Sequence, residues 1–344
     1  MNDLAAKFIE QAGHCDALGS PFMGQLCRLL ADRLTPGTAL TDRLFHWQGD
    51  LGPAAQSLPL RLCGGLHALR LTDRAGLAAV YPPHRVSDDV LWDAIDTALQ
   101  TEAEFLDAWI DSPPQTNEVR RSAVLIGIGN WLTARFGLPL VLSELGASGG
   151  LNLTWDRFGL IAQDQHFGPD IPALTLTPDW SGSLPPKADP IVAERRGVDL
   201  NPLDPTNPDD RLRLLAYLWP DQSDRIDRTL AAIGCFDAKV DRADGVDWLA
   251  LRLVPLAGRC HLIYSTVAWQ YFPQSARDRG TDLIAAAGAL ATEDAPIAWF
   301  GMENDGGAKG AALTLRLWPG DLQLSFGRAD FHGRWIDWVD PLQA

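Results

Sequence analysis

The sequence contains no uninterrupted run of about 18 apolar residues, the length that a transmembrane helix needs, so we predict no membrane-spanning segment and no membrane partner. Its first residues, 1–11, include Asp3 and Glu10 and lack the basic and apolar regions of a signal peptide. These two absences lead us to expect a cytoplasmic protein.

Basic residues are also scarce. The chain has 29 Lys and Arg against 44 Asp and Glu, a net charge of −15. A nucleic-acid-binding protein needs a basic surface to release counterions from phosphates, so we expect no nucleic-acid partner. Neutral or cationic small-molecule substrates suit this charge better. The sequence leaves the oligomeric state open.

Cysteine is rare, with five in the chain: Cys15, Cys27, Cys63, Cys235 and Cys260. The number is odd, no pair forms a C-x-x-C motif, and no histidine pair accompanies them at zinc spacing. We therefore predict neither a disulfide framework nor a metal site, and expect buried thiols in a reducing compartment.

Hydrophobic residues make up 46% of the 344 residues, enough for a sizeable core. In residues 1–137 they recur at helical spacing between proline-containing breaks, which predicts a helical domain. Its last helix is expected over residues 117–136, with Gly137 as the carboxyl-terminal cap.

Residues 138–344 have a different pattern, in which short β-rich runs alternate with helical ones. Such alternation predicts an α/β domain whose mostly parallel sheet has helices on both faces. Residues 312–318 and 322–327 flank a Pro-Gly-Asp turn and predict a closing antiparallel hairpin, so the sheet is mixed. Residues 165–193 are rich in Pro, Asp and Gly and are interpreted as an insertion loop.

The most informative segment joins an apolar strand, predicted over residues 138–145, to a glycine-rich turn that ends at Gly150. Glycine has no Cβ and tolerates positive φ, so backbone in such a turn can approach a ligand closely. If a helix follows the turn, its first N–H groups also face the ligand. This segment therefore predicts a ligand-binding loop.

The string Glu144-Leu145-Gly146-Ala147-Ser148-Gly149-Gly150 resembles the first motif of class I S-adenosylmethionine (SAM)-dependent methyltransferases, E/D-x-G-x-G-x-G, with Ser148 replacing the middle glycine. The resemblance extends over roughly residues 138–330 and implies a Rossmann-like methyltransferase-type sheet. It also implies SAM as cofactor and methyl transfer to a small molecule as function. The implied cofactor-binding residues are Glu144, Gly146, Ser148 and Gly150 at the methionine end, Asp199 at the ribose and Asp244 at the adenine. The long interval between Glu144 and Asp199 requires residues 165–193 to be inserted between the first two strands; without that insertion, Asp164 is the nearer candidate for the ribose-binding acid.

Three residues are candidates for the catalytic base. Tyr271 follows the predicted fourth strand, residues 261–267, and Glu303 stands at the end of the predicted fifth, residues 296–302, where ligands of open α/β sheets bind. His67, in the helical domain, is a side chain that titrates near neutral pH.

Four strings spread along the chain resemble a bacterial family called domain of unknown function 2332. They are residues 59–67, 144–153, 196–202 and 219–222. This resemblance implies the same architecture and no particular activity.

Two alternatives remain open. Gly146 to Gly150 also match G-x-S-x-G, the nucleophile turn of α/β-hydrolases, in which Ser148 would need an acid and a histidine. The pairs Asp244 with His261 and Asp305 with His332 have the required order. The other alternative is a catalytically inactive methyltransferase-like fold that serves as a ligand- or protein-binding module. An NAD enzyme is disfavoured because the loop lacks G-x-G-x-x-G spacing.

Overall fold

The computed structural model describes residues 3–52, 55–307 and 309–342. The chain divides into two compact units, residues 1–116 with 206–227 (the helical unit) and residues 117–205 with 228–344 (the sheet unit). This division differs from the boundary expected after residue 137.

The helices have the following bounds: α1 (Asp3–Ala17), α2 (Pro21–Arg33), α3 (Ala39–Phe45), α4 (Leu58–Leu71), α5 (Asp88–Thr101), α6 (Ala103–Trp109), α7 (Ser122–Phe136), α8 (Pro208–Ala216), α9 (Ser223–Gly234), α10 (Gly245–Ala250) and α11 (Gln274–Gly288). None of the described helices is long and apolar enough to cross a membrane.

The strands are β1 (Leu140–Leu145), β2 (Gly159–Ala162), β3 (Gln165–Phe167), β4 (Thr175–Leu176), β5 (Asp179–Gly182), β6 (Val192–Asp199), β7 (Lys239–Arg242), β8 (Cys260–Thr266), β9 (Ile297–Glu303), β10 (Ala311–Trp318), β11 (Leu322–Ala329) and β12 (Trp335–Trp338).

The helical unit is built around leucine-rich faces of α1 to α6, with Leu26, Leu62 and Leu66 fully buried. Its helix α4 contains Gly64, where an added Cβ would lie 2.4 Å from the ring of Tyr217 in the segment after α8. Glycine at this position lets the 206–227 segment pack closely on α4, which is why that segment belongs to the helical unit.

Helix α7 belongs to the sheet unit. Its residues from Ser122 to Leu132 are all buried, as is typical of a helix that is apolar on all its faces and packed inside a core. Gly127 contacts Trp338 of β12, and Gly129 contacts Trp155. The helix ends, as predicted, at Gly137, which has a left-handed φ of 64°.

The main sheet of the described residues has nine strands in the order β5-β12-β11-β10-β9-β8-β1-β6-β7. Strands β7, β6, β1, β8 and β9 are parallel neighbours, and β9 to β12 pair antiparallel. The sheet is therefore mixed, with a large parallel part, and the unit is of the α/β class. The predicted hairpin is confirmed as β10 and β11.

The region predicted as an insertion loop, residues 165–193, contains regular structure. Strand β3 pairs with β2, and β4 pairs with β2 on the other side, which gives a separate three-stranded sheet. Strand β5 joins the far edge of the main sheet by pairing with β12. The loop interpretation was wrong for these strands, because edge strands of two to four residues have too few positions for an alternating pattern to show.

Candidate functional site

The candidate site lies at the carboxyl ends of the parallel strands in the sheet unit. After β1 the chain adds β6 and β7 on one side of it, and then returns to add β8 and β9 on the other side. The order of strands thus reverses between β1 and β8, and ligands of open α/β sheets bind at the carboxyl ends beside such a reversal. The glycine-rich loop follows β1 at this point.

The loop is held against the end of β6. The amides of Gly146 and Ala147 donate to the carbonyl oxygen of Val198, at 2.9 and 3.0 Å. Gly146 and Gly150 have φ values of 69° and 71°, in the left-handed region. An added Cβ at Gly146 would lie 2.5 Å from the Cβ of Ala268, so the first glycine is required by the loop that follows β8.

Glu144 is the most unusual group at this edge. Its side chain is 2% exposed, and its Oε2 atom has no hydrogen-bond partner among the residues described. Burial raises the pKa of this carboxyl well above its ordinary value, the charge of Asp199 raises it further, and Arg121 opposes both. Glu144 therefore favours its protonated form until a cation or a hydrogen-bond donor reaches it.

Ser148 also lies in the loop, with a φ of 55° that is uncommon for a non-glycine residue. Its hydroxyl is buried and has no hydrogen-bond partner within the described part of the chain. Val267, which follows β8, has a φ of 56°, a conformation that is costly for a β-branched side chain. Two such residues at neighbouring strand ends are typical of a binding or catalytic site.

Asp199 ends β6 and binds the loop backbone. Its Oδ2 accepts a hydrogen bond from the Ser148 amide at 2.9 Å, and its Oδ1 accepts one from the Asn201 amide at 2.9 Å. Each carboxylate oxygen has capacity for a second bond, so the half-buried Asp199 remains available to a hydroxyl donor.

Asp244 lies after β7 as the amino-terminal cap of α10. Its Oδ1 accepts from the amides of Val246 and Asp247, at 2.9 and 3.0 Å, and lies 3.4 Å from Arg279. The side chain is exposed. Its demonstrated contacts are those of a helix cap.

Glu303 ends β9 and holds the turn that follows β8. Its carboxylate accepts hydrogen bonds from the amides of Ala268, Trp269 and Gln270, at 3.1 to 3.3 Å. A carboxylate bound in this way positions the turn and is poorly placed to take a proton from a substrate. Tyr271, in the same turn, is 75% exposed at the strand ends.

His67 belongs to the helical unit, whereas the other candidate residues belong to the sheet unit. It is buried in α4, where Nδ1 is 3.0 Å from the carbonyl oxygen of Ala216 and the ring stacks near Tyr81. Burial lowers its pKa to about 4, so the imidazole is neutral at pH 7.

A helix was expected to follow the glycine-rich loop, and this expectation was wrong. The chain instead forms a 3-10 segment, Leu151–Arg157, which is kinked at Thr154. A side chain from outside this segment bonds its first backbone amide: Asn117 Oδ1 accepts a hydrogen bond from the Leu151 amide at 2.8 Å. The amides from Gly146 to Ser148, and those of Gly150 and Leu151, already donate within the chain, so side chains rather than a helix amino terminus are available to a ligand at the loop.

The structure does not assemble the triads suggested for Ser148. His261 is level with Val141 near the start of β1, at the opposite end of the sheet, and its Nε2 is 2.9 Å from Ser143 Oγ. Both carboxylate oxygens of Asp305 accept from Arg328 at 2.9 Å, so this acid is engaged by an arginine rather than by His332.

Sequence reasoning missed Arg121, which lies just before α7. Its Nη1 donates to the carbonyl oxygen of Thr266 at the end of β8, at 2.9 Å, and its charge acts on Glu144. No local motif surrounds Arg121, so only the packing of α7 on the sheet brings it to the site. Within the described ranges, no group of three or more His, Cys, Asp or Glu residues is placed to hold a metal ion.

Comparison with known families identifies one match. The profile of a family described as "Uncharacterized protein conserved in bacteria (DUF2332)" matches residues 5–338. Searches of curated proteins and of solved structures gave no match to the chain.

Proposed function

This chain belongs to the bacterial family of domain of unknown function 2332, and we propose that it binds SAM at the carboxyl ends of β1, β6 and β7 and transfers its methyl group to a small molecule. The strand order β7-β6-β1-β8-β9 supports the proposal, because it is the third-second-first-fourth-fifth order of a doubly wound Rossmann-like sheet. The loop that resembles the methyltransferase motif follows the first strand of that order.

The observation that carries the proposal is the buried Glu144 carboxyl beside the loop, whose Oε2 has no hydrogen-bond partner among the described residues. A buried acid without a partner is costly, and a ligand that supplies a positive charge or N–H donors removes that cost. SAM carries both an ammonium and a sulfonium group. Its methionine end therefore supplies the donors and positive charge that suit Glu144 Oε2, which accepts no hydrogen bond from the described residues.

Other residues at the edge fit the remaining parts of the cofactor. The buried Ser148 hydroxyl can donate to a carboxylate, and Asp199 can accept from ribose hydroxyls with its unused lone pairs. When bound, SAM supplies a methyl group already activated toward nucleophiles. The residues of this chain orient the ligand and exclude water, which is where the protein contributes most to such a transfer.

A second candidate is a ligand-binding module without catalysis. It is favoured by Glu303, whose carboxylate is engaged by three amides and so is poorly available as a base. In that case the same strand ends bind a cationic nucleoside and no methyl group is transferred.

Isothermal titration of the full chain with SAM and S-adenosylhomocysteine tests the proposal. We expect a micromolar dissociation constant for SAM, and a loss of about tenfold or more in Glu144→Gln, since a charged partner is removed. The exposed Glu293→Gln is the matched control and should bind as wild type does.

Folded wild-type protein that binds neither ligand would contradict the proposal, as would equal affinity in Glu144→Gln. Incubation with methyl-labelled SAM and a panel of small amines, phenols and thiols separates the two candidates. Label transfer supports the enzyme, and binding without transfer across the panel favours the module.

A further inference from the structure

The helical unit contains a cavity of about 820 Å³ that the proposed methyl transfer does not use. It is open to solvent at one side and lies among α2, the end of α4, the segment 80–86, the start of α5 and residues 220–227. All of these residues belong to the helical unit. Its volume is within the range of small-molecule binding sites.

Much of the cavity wall is apolar. Phe22, Val80 and Leu91 are buried side chains of this wall, and Val86 and Ile226 are half-buried ones. An apolar concave surface of this size favours the hydrocarbon or aromatic part of a ligand.

Three basic residues lie on the same wall: Arg70, His84 and Arg85. Arg70 donates from Nη2 to the carbonyl oxygen of Pro82 at 3.2 Å, while its buried Nε has no hydrogen-bond partner in the described residues. His84 and Arg85 are exposed, and their side chains form no hydrogen bond or ion pair within the described part of the chain. Donor capacity toward an anion is therefore present at this wall.

The wall also has two acidic residues, Asp221 and Asp227. Asp221 accepts hydrogen bonds from Ser20 Oγ and from the Phe22 amide, the latter at 2.9 Å, at the amino end of α2. The amino terminus of α2 therefore stabilises the charge of the Asp221 carboxylate. Asp227 is exposed.

The geometry points to a second binding site, in which an amphipathic small anion places its apolar body against Phe22, Val80 and Leu91 and its carboxylate or phosphate against Arg70 and Arg85. This assignment is independent of the proposed methyl transfer, because its residues and those of the SAM site are in different units.

Fluorescence titration with 8-anilinonaphthalene-1-sulfonate, an aromatic anion of suitable size, tests the site in the full chain. We expect saturable binding of one probe per chain, weakened about tenfold in Arg70→Met and in Arg85→Met, the effect of losing one charge-assisted hydrogen bond. Arg211→Met is the matched control, since Arg211 is an exposed arginine of the same unit that does not line the cavity.

Wild-type affinity in both cavity variants would overturn the assignment. If Arg70→Met fails to fold, the exposed Arg85→Met decides the test alone. Competition then identifies the headgroup: displacement by decanoate indicates a carboxylate ligand, displacement by decyl phosphate a phosphate ligand, and displacement by decanol as strong as by either would overturn the requirement for an anion.

Discussion

Replacing Glu144 by Gln should stabilise the protein, and by more as the pH rises. Burial raises the pKa of Glu144 well above its ordinary value of 4.5. At a pH between the ordinary and the raised pKa, the folded chain holds a proton on Glu144 that the unfolded chain has lost. Unfolding then releases a proton, and the free energy of unfolding falls as the pH increases. The Gln side chain has no such proton to lose.

The size of the effect follows from proton linkage. Each pH unit in this window lowers the wild-type free energy of unfolding by about 1.4 kcal/mol per proton. The advantage of Glu144→Gln should therefore grow with pH, with this slope as its upper limit, as the pH rises from the ordinary pKa of a glutamate toward the raised pKa of Glu144.

Urea titrations of wild type and variant at about pH 5.5, 6.5 and 7.5, read by circular dichroism, measure this difference. Glu293→Gln controls for the loss of an exposed carboxyl and should follow the wild-type slope. Parallel pH profiles for wild type and Glu144→Gln would refute the reasoning, because they would mean that Glu144 is ionised in the folded chain.

Three further changes test the packing and the protonation states. Gly129→Ala should lower the free energy of unfolding by about 1–3 kcal/mol, since its Cβ would lie 2.1 Å from Trp155. Gly234→Ala is the control, because its Cβ would enter open space. The midpoints of urea unfolding measure the difference, and equal midpoints for the two variants would contradict the packing at Gly129. Asp244→Ala should lower the free energy of unfolding by about 1 kcal/mol, because α10 loses its amino-terminal cap. Asp244→Asn should retain most of the wild-type stability, since Asn also caps helices, and an equal loss in both variants would exclude capping. Burial lowers the pKa of His67 from 6.5 to about 4, so on acidification the unfolded chain binds a proton before the folded chain does. The free energy of unfolding should therefore fall by about 1.4 kcal/mol per pH unit as the pH drops through that window. His67→Gln should remove this fall when the free energy from urea titrations is plotted against pH.

Local sequence signals predicted several elements of the fold correctly. Gly137 ends α7 because glycine alone adopts a left-handed φ without strain. The Pro-Gly-Asp turn between alternating runs predicted the β10–β11 hairpin. The apolar run before the glycine-rich loop predicted β1, which proved to be a central strand of the main sheet.

The site was less predictable, because its properties depend on partners distant in sequence. Glu144 was selected from a motif, yet its burial and missing partner depend on β6 and β8, which pair with β1 from 50 or more residues away. Glu303 was selected as a strand-end acid, and only the fold shows that it binds the amides after β8. Arg121 had no sequence signal at all.

Local patterns in the chain were enough to predict an acidic α/β protein with a helical part, a glycine-rich loop after an apolar strand, and a closing hairpin. These follow from composition, periodicity and turn chemistry, which act over a few residues. Long-range packing places residues 206–227 in the helical unit, pairs β5 with β12, and buries Glu144 with an Oε2 that has no hydrogen-bond partner among the described residues. Those outcomes depend on which distant surfaces cover one another, and no short segment of sequence encodes that choice.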